Sequence, residues 1–170
     1  MKYRIFKILL LALYPLFGWA QIDTERVMAV GRNALYFEDY VLSIQYFNQV
    51  INAKPYLAES YFYRGLAKFN LDDYQGAEED CSEALERNPF VVSAYQIRGL
   101  ARIQQENYTG AIEDYQKALK LDPENINVWH NLSLCRMKND DYDGAKKYLD
   151  MGIDTILTND YNLISQVLNK

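Results

Sequence analysis

The chain has 170 residues, 18 of them basic and 23 acidic, for a formal charge of −5. That length supports one domain with a real interior. The acidic balance argues against nucleic acid, whose phosphates are held by clustered Lys and Arg, and against sustained adhesion to an anionic membrane surface.

The first stretch, MKYRIFKILLLALYPLFGWAQ, sets Lys2, Arg4 and Lys7 ahead of an apolar run closed by the small residues Gly18 and Ala20. This layout predicts a secretory signal over residues 1–20, cleaved after Ala20. The run from Ile8 to Ala20 is 13 residues long and holds Pro15, whereas a membrane span needs about 20 apolar residues. The expected location is therefore exported, periplasmic or extracellular, with an uncleaved N-terminal anchor as the lesser reading. No stable membrane insertion is expected after cleavage. Removing the three leader cations from the 18 basic side chains leaves 15 against 23 acidic ones, a balance of −8.

From Thr24 onward the chain repeats itself, at the fixed spacing that separates Gly31 from Gly65 and Gly65 from Gly99. The segment from Val92 to Asn125 shows the skeleton best, with Tyr95, Gly99, Tyr108, Ala111, Tyr115, Ala118 and Pro123. One period earlier stand Tyr61, Gly65, Tyr74, Ala77, Ala84 and Pro89; one period later, Trp129, Tyr142 and Ala145. A further step back finds Gly31, Tyr40, Phe47 and Pro55. Four copies tile residues 24–57, 58–91, 92–125 and 126–159.

Each copy reads as two helices. The first helices are expected at Thr24 to Tyr36, Glu59 to Leu71, Ser93 to Glu106 and Asn127 to Lys138, and polar turns such as Asp72-Asp73 lead into the recurring tyrosine. In the second helix of copy three, Ala111, Ile112, Tyr115, Ala118 and Leu119 mark one apolar face. Ile44, Phe47, Val50 and Ile51 do so in copy one. Lys54-Pro55, Asn88-Pro89 and Asp122-Pro123 end the pairs, because the residue before proline is biased away from helical geometry. Gly31, Gly65 and Gly99 allow two helices to cross closely, with Ala77 and Ala111 expected opposite; Ser43 and Ser133 are tolerated small substitutes. In the tail, Leu163, Ile164, Val167 and Leu168 predict a short C-terminal capping helix over residues 160–170, since a stacked array needs its last stripe covered.

This skeleton resembles the tetratricopeptide repeat, a helix-turn-helix unit of about 34 residues, over nearly all of the chain after the leader. Copy four departs from it by lacking the closing proline and alanine, having Leu157 and Gly152 instead. The resemblance implies an all-α solenoid of stacked antiparallel helix pairs, a superhelix, whose concave groove is lined by the first helices. It places Met28, Arg32, Phe62, Leu66, Phe69, Gln96, Leu100, Ile103, Gln104, His130 and Leu134 along that groove, where plain packing between first helices is the competing role. Contiguous exposed apolar area suggests a binding surface, and such a groove takes an extended segment or a helix.

One subgroup of the family holds a C-terminal carboxylate with Lys, Arg and Asn. The corresponding places here are Met28, Arg32, Tyr63, Ser93 and Ile97, of which one is basic, so that activity is not carried over. Gly31, Gly65, Gly99, Ala77, Ala111 and Ala145 are read as packing positions, as are Tyr40, Tyr74, Tyr108 and Tyr142, whose rings are expected under the turn with the hydroxyl at water.

Cys81 and Cys135 lie at interior places about one and a half copies apart, whereas a disulfide needs Cα atoms within roughly 7 Å; both read as small buried residues, with a disulfide as the minority reading. His130 is the only histidine, so a multi-histidine metal cluster is excluded. Isolated glycines make no phosphate cradle. No catalytic residue, metal or cofactor is expected. The expected activity is that of a non-catalytic scaffold or adaptor, binding a protein or peptide partner in a bacterial envelope, with a homo-oligomer as an open option. The alternatives are a self-assembling module and the interaction domain of a larger truncated chain.

Overall fold

The computed structural model describes residues 23–168, with side chains to Asn159. The expected signal, residues 1–20, lies outside the described residues. Among the described residues eight helices make four pairs: α1 (Thr24–Tyr36) with α2 (Tyr40–Ala53), α3 (Ala58–Asn70) with α4 (Tyr74–Arg87), α5 (Val92–Gln104) with α6 (Tyr108–Leu121), and α7 (Ile126–Lys138) with α8 (Tyr142–Leu168). Each helix packs on the next in sequence, giving an α-solenoid. First helices begin at Thr24, Ala58, Val92 and Ile126, so the backbone keeps the period of the sequence.

The turn inside each pair is written in acidic and amide residues. Glu38, Asp72, Glu106 and Asp140 take φ of 63°, 61°, 59° and 57°, the left-handed geometry that ends a helix sharply. The following residue caps the second helix: Asp39, Asp73, Asn107 and Asp141 accept from the N–H of Leu42, Gly76, Gly110 and Gly144 at 3.1, 3.0, 3.0 and 2.9 Å. First helices therefore stop at Asn70 and Gln104. They do not reach Leu71 and Glu106 as the sequence suggested, because Glu106 is held left-handed. Tyr74 donates its hydroxyl to Asp72 at 2.5 Å in an exposed hydrogen bond at the turn, while Tyr142 is 64% exposed and buries little in copy four.

At the join between copies the proline carbonyl is held by the aromatic six residues on. Tyr61 Oη donates to Pro55 O at 3.1 Å and Trp129 Nε1 to Pro123 O at 2.9 Å. Within a pair the glycines admit a neighbouring side chain. A Cβ at Gly31 would stand 2.8 Å from Phe47 Cε1, and one at Gly99 2.8 Å from Tyr115 Cζ. At Gly65 the contacts are Cys81 Sγ at 3.2 Å and Asp80 Cβ at 3.1 Å, and Ala77 offers only its carbonyl, at 3.2 Å. The residue filling the crossing is thus Phe47, Cys81 or Tyr115 rather than the expected alanine. Ala77, Ala111 and Ala145 are nonetheless buried beside it.

The core runs along the array. Met28, Phe47 and Val50 fill copy one; Tyr61, Ala84, Leu85 and Ala94 join copies two and three; Ala111, Ile112, Tyr115, Ala118, Leu119, Val128, Trp129, Leu132 and Cys135 join copies three and four. Leu149, which shares the frame place of Phe47 and Tyr115, is 47% exposed, so copy four closes less well than its predecessors.

Ion pairs repeat at the same period. Arg64 grips Asp80 with Nε at 2.8 Å and Nη2 at 2.5 Å and reaches back to Asn48 at 2.6 Å. Arg98 does the same to Asp114 at 3.0 and 2.6 Å and to Ser82 at 3.0 Å. Arg102 bridges Asp114 at 2.9 Å and Glu78 at 2.7 Å. The Asp80 and Asp114 side chains are only 4% and 2% exposed. Copies one and four have Val30 with Tyr46 and Leu132 with Tyr148 in these places.

The tail differs from expectation. Residues 160–168 are not a separate cap but the unbroken end of α8, which is 27 residues long. No helix of the described residues is long and apolar enough to cross a membrane.

Candidate partner groove

First helices α1, α3 and α5 touch one another in turn, while second helices are held apart by the first helices between them. Packing is tighter on the inside of a curve, so the concave face belongs to the first helices. Within a pair the helices are antiparallel, which makes α1, α3, α5 and α7 parallel to one another.

Phe62, Leu66 and Phe69 of α3, and Gln96, Leu100 and Ile103 of α5, are half-buried. His130 of α7 is exposed, and Leu134 and Met137 are 36% and 51% exposed. The structure thus brings a graded row together, deepest in the middle copies and open toward α7. Phe62 and Ile103 also pack against the interior, so part of each ring or branch serves stability. Met28 is a correction: at 6% exposure it packs with Phe47 and Val50, and Leu57 and Tyr63 lie against the same cluster, so this fifth-place side chain belongs to the core.

The polar members hold different stations. Arg32 is exposed and pairs with Glu59 at 2.8 Å, with its guanidinium 5.8 Å from the Tyr63 ring centre. Gln96 donates to Asn125 Oδ1 at 3.2 Å, the same oxygen that caps α7 through the N–H of Val128 at 3.3 Å. Gln96 is therefore a brace between copies, a role its spacing did not reveal. Gln104 is exposed at the end of α5. At the copy-one end a hollow of about 340 Å³ is bordered by Thr24, Glu25, Met28, Arg32, Lys54, Leu57 and Glu59. Lys54 was legible in the sequence only as the end of copy one, because its place in other copies is Asn88 or Asp122 and the period carried no basic signal.

Chemically the face offers apolar side chains flanked by amides and, at the copy-one end, by Arg32, Lys54 and Glu59. The two thiols are elsewhere: Cys81 and Cys135 are free and fully buried. Burial pushes the Cys81 thiol up to about 12, with neighbouring Asp80 adding to the shift, and pushes the Cys135 thiol up to about 11. Neither forms a thiolate at neutral pH. Among the described residues no group of three His, Cys, Asp or Glu side chains is placed to hold a metal.

The fold and face define a class, a repeat solenoid with an apolar inner trough. Residues 58–90 match the family described as Tetratricopeptide repeat, and residues 99–140 match the one described as TPR repeat. The chain thus carries tetratricopeptide repeats over these residues. Among solved structures it is similar to MamA, at 21% identity over 88% of each chain with a TM-score of 0.81. It is also similar to the first TPR of Spaghetti (RPAP3) bound to the HSP90 peptide SRMEEVD, at 26% identity over 68% of this chain and 94% of that one, TM-score 0.66. The Arabidopsis OM64 TPR domain is similar at 27% identity, covering 67% of this chain and 94% of that one, TM-score 0.66. No curated protein sequence matches the chain.

Proposed function

We propose that this chain is a non-catalytic interaction scaffold that receives an apolar segment of another protein along its first helices. The observation that carries the reading is the graded row Phe62, Leu66, Leu100, Ile103, Leu134 and Met137 on one concave face. Exposed apolar area of this kind is stabilised by covering. The likeness to a domain holding the peptide SRMEEVD supports a peptide as occupant. The chemistry of recognition differs from a carboxylate clamp: of Met28, Arg32, Tyr63, Ser93 and Ile97 one is a cation, and Arg32 is already paired with Glu59. Apolar side chains of the segment, rather than a terminal carboxylate, are the recognised groups. The acidic balance leaves nucleic acid outside the reading.

The leader makes the protein an exported one, processed before Gln21 and working in a bacterial envelope or beyond it. Mass spectrometry of the N-terminus after expression in a secreting host checks this: intact residues 1–20 in the exported pool would remove it.

Panning a random peptide library on the full chain tests the groove. Wild type is expected to enrich segments with spaced apolar residues. Leu66→Glu and Leu100→Glu are expected to lose that enrichment about tenfold or more, the effect of roughly 1.4 kcal/mol, while circular dichroism stays unchanged. Equal enrichment by Leu66→Glu, or enrichment only of acidic C-termini, would sink the proposal.

A further inference from the structure

Interfaces inside the array define what the exposed end of copy four lacks. Between copies two and three, Ala84 and Leu85 of α4 are covered by Ala94 of α5; between three and four, Ala118 and Leu119 of α6 are covered by Val128 and Leu132 of α7. One period on, the same places are Gly152 and Ile153 of α8. Ile153 is 46% exposed, with Leu149, Ile156 and Leu157 at 47%, 39% and 61%. Leu149, Gly152, Ile153 and Ile156 join Ile126, Trp129, His130 and Tyr148 around a mainly apolar hollow of about 120 Å³. This hollow is the repeat-to-repeat interface continued without its covering helix.

Its occupant can be narrowed by what the covered interfaces accept. The chain's own tail is excluded, because α8 runs straight on to Leu168 and carries residues 160–168 away along its axis. The first helix of another copy fits poorly. Helices that enter the covered slots present Ser60, Ala94 and Val128 at one place and Ala67, Ala101 and Cys135 at another, all at 0% exposure. In α1 those places are Arg26 and Asn33, both exposed, and burying a charge without a partner is costly.

The remaining helix with a matching face is α8 itself. At 27 residues it is about 40 Å long, roughly twice the length of α7, the one helix packed on it among the described residues. In the sequence, apolar residues recur farther along the same helix as Leu163, Ile164, Val167 and Leu168. We propose that two copies of the chain form a two-fold dimer in which their α8 helices pack antiparallel, each covering the open end of the other's array. Centred on Ile153, this register sets Leu149 of one copy level with Leu157 of the other, and Lys146 level with Asp160. The acidic residues Asp143, Asp150 and Asp154 fall level with Leu163, Ile156 and Gly152; a parallel pairing would set each opposite its twin. Such an interface is the same patch on both partners and closes, without growth into a fibre. It meets the groove only at His130 and leaves Leu66 and Leu100 uncovered.

Sedimentation of the full chain over a range of concentrations tests the dimer. Wild type is expected to dimerise, and Ile153→Glu or Leu157→Glu to raise the dissociation constant about a hundredfold without altering the helical signal, since both side chains are exposed. Leu100→Glu is expected to keep the dimer, which separates this surface from the groove. Under copper–phenanthroline oxidation, Ile153→Cys should form a covalent dimer with itself, because the native cysteines are buried. A monomer at every concentration overturns the proposal, as does a dimer indifferent to Ile153→Glu, or cross-linking of Ile153→Cys to Val30→Cys in place of itself.

Discussion

Ser43 stands where the other copies have Ala77, Ala111 and Ala145, and its buried Oγ has no hydrogen-bond partner among the described residues. An unsatisfied buried hydroxyl costs about 1–3 kcal/mol, so Ser43→Ala is expected to stabilise the protein by roughly 1 kcal/mol. A rise in the thermal midpoint of the full chain checks it; a fall would mean that the hydroxyl is satisfied in solution. Residues of this kind were partly legible. The period marked Ser43 as a small-residue site and placed Gly31, Gly65 and Gly99 at close crossings, because spacing reports which helix face a residue occupies. It could not report depth: Met28 shares its frame place with exposed His130, yet lies inside against Phe47 and Val50. Nor did the sequence announce Arg64 and Arg98 as partners of Asp80 and Asp114, although each kind recurs one period apart. Charges on a repeat are usually solvated, so recurrence alone does not tell a buried pair from a wet one.

At the scale of the helix, the informative residues are those at the ends. Glu38, Asp72, Glu106 and Asp140 bear a Cβ in left-handed geometry, which costs roughly 1–2 kcal/mol relative to glycine. The Glu106 side chain is exposed at the turn, so Glu106→Gly is expected to stabilise by up to about 1 kcal/mol, less the extra freedom glycine gains when unfolded. Urea denaturation measures the difference, and a loss of stability would show the carboxylate contributing more than strain. The sequence located the helix ends within two residues but continued α5 through Glu106, since nothing in the letter E announces a positive φ. The single larger miss was the tail. A break near residue 160 needs a proline such as Pro55, Pro89 or Pro123; Leu157 replaces it, and a helix with no breaker simply continues as α8 to Leu168.

Across the whole molecule, cohesion between copies two and three rests on a charged cluster as much as on apolar burial. Asp114 accepts from Arg98 and Arg102, and through Glu78 and Ser82 the same arginines clasp α4. Removing one member leaves buried charge unpaired, at about 3–5 kcal/mol. Asp114→Ala is therefore expected to destabilise by that order. Because a repeat array is coupled only through neighbours, its denaturation curve should also broaden or divide, as the two halves separate. A sharp single transition at the wild-type midpoint would count against the cluster. The parallel run of the first helices has one more consequence. All their C-terminal ends lie on one rim, which carries Glu38, Asp39, Asp72, Asp73, Glu106, Asp140 and Asp141 with the exposed rings of Tyr36 and Phe37, whereas the opposite rim presents Tyr56 and Phe90, 68% and 74% exposed, beside Asp23, Glu59 and Glu124. One margin of the trough thus receives only helix C-terminal ends and the other only N-terminal ends, whose partial charges are opposite, so reversing a strand laid across it is not a neutral operation: the surface has a sense of direction.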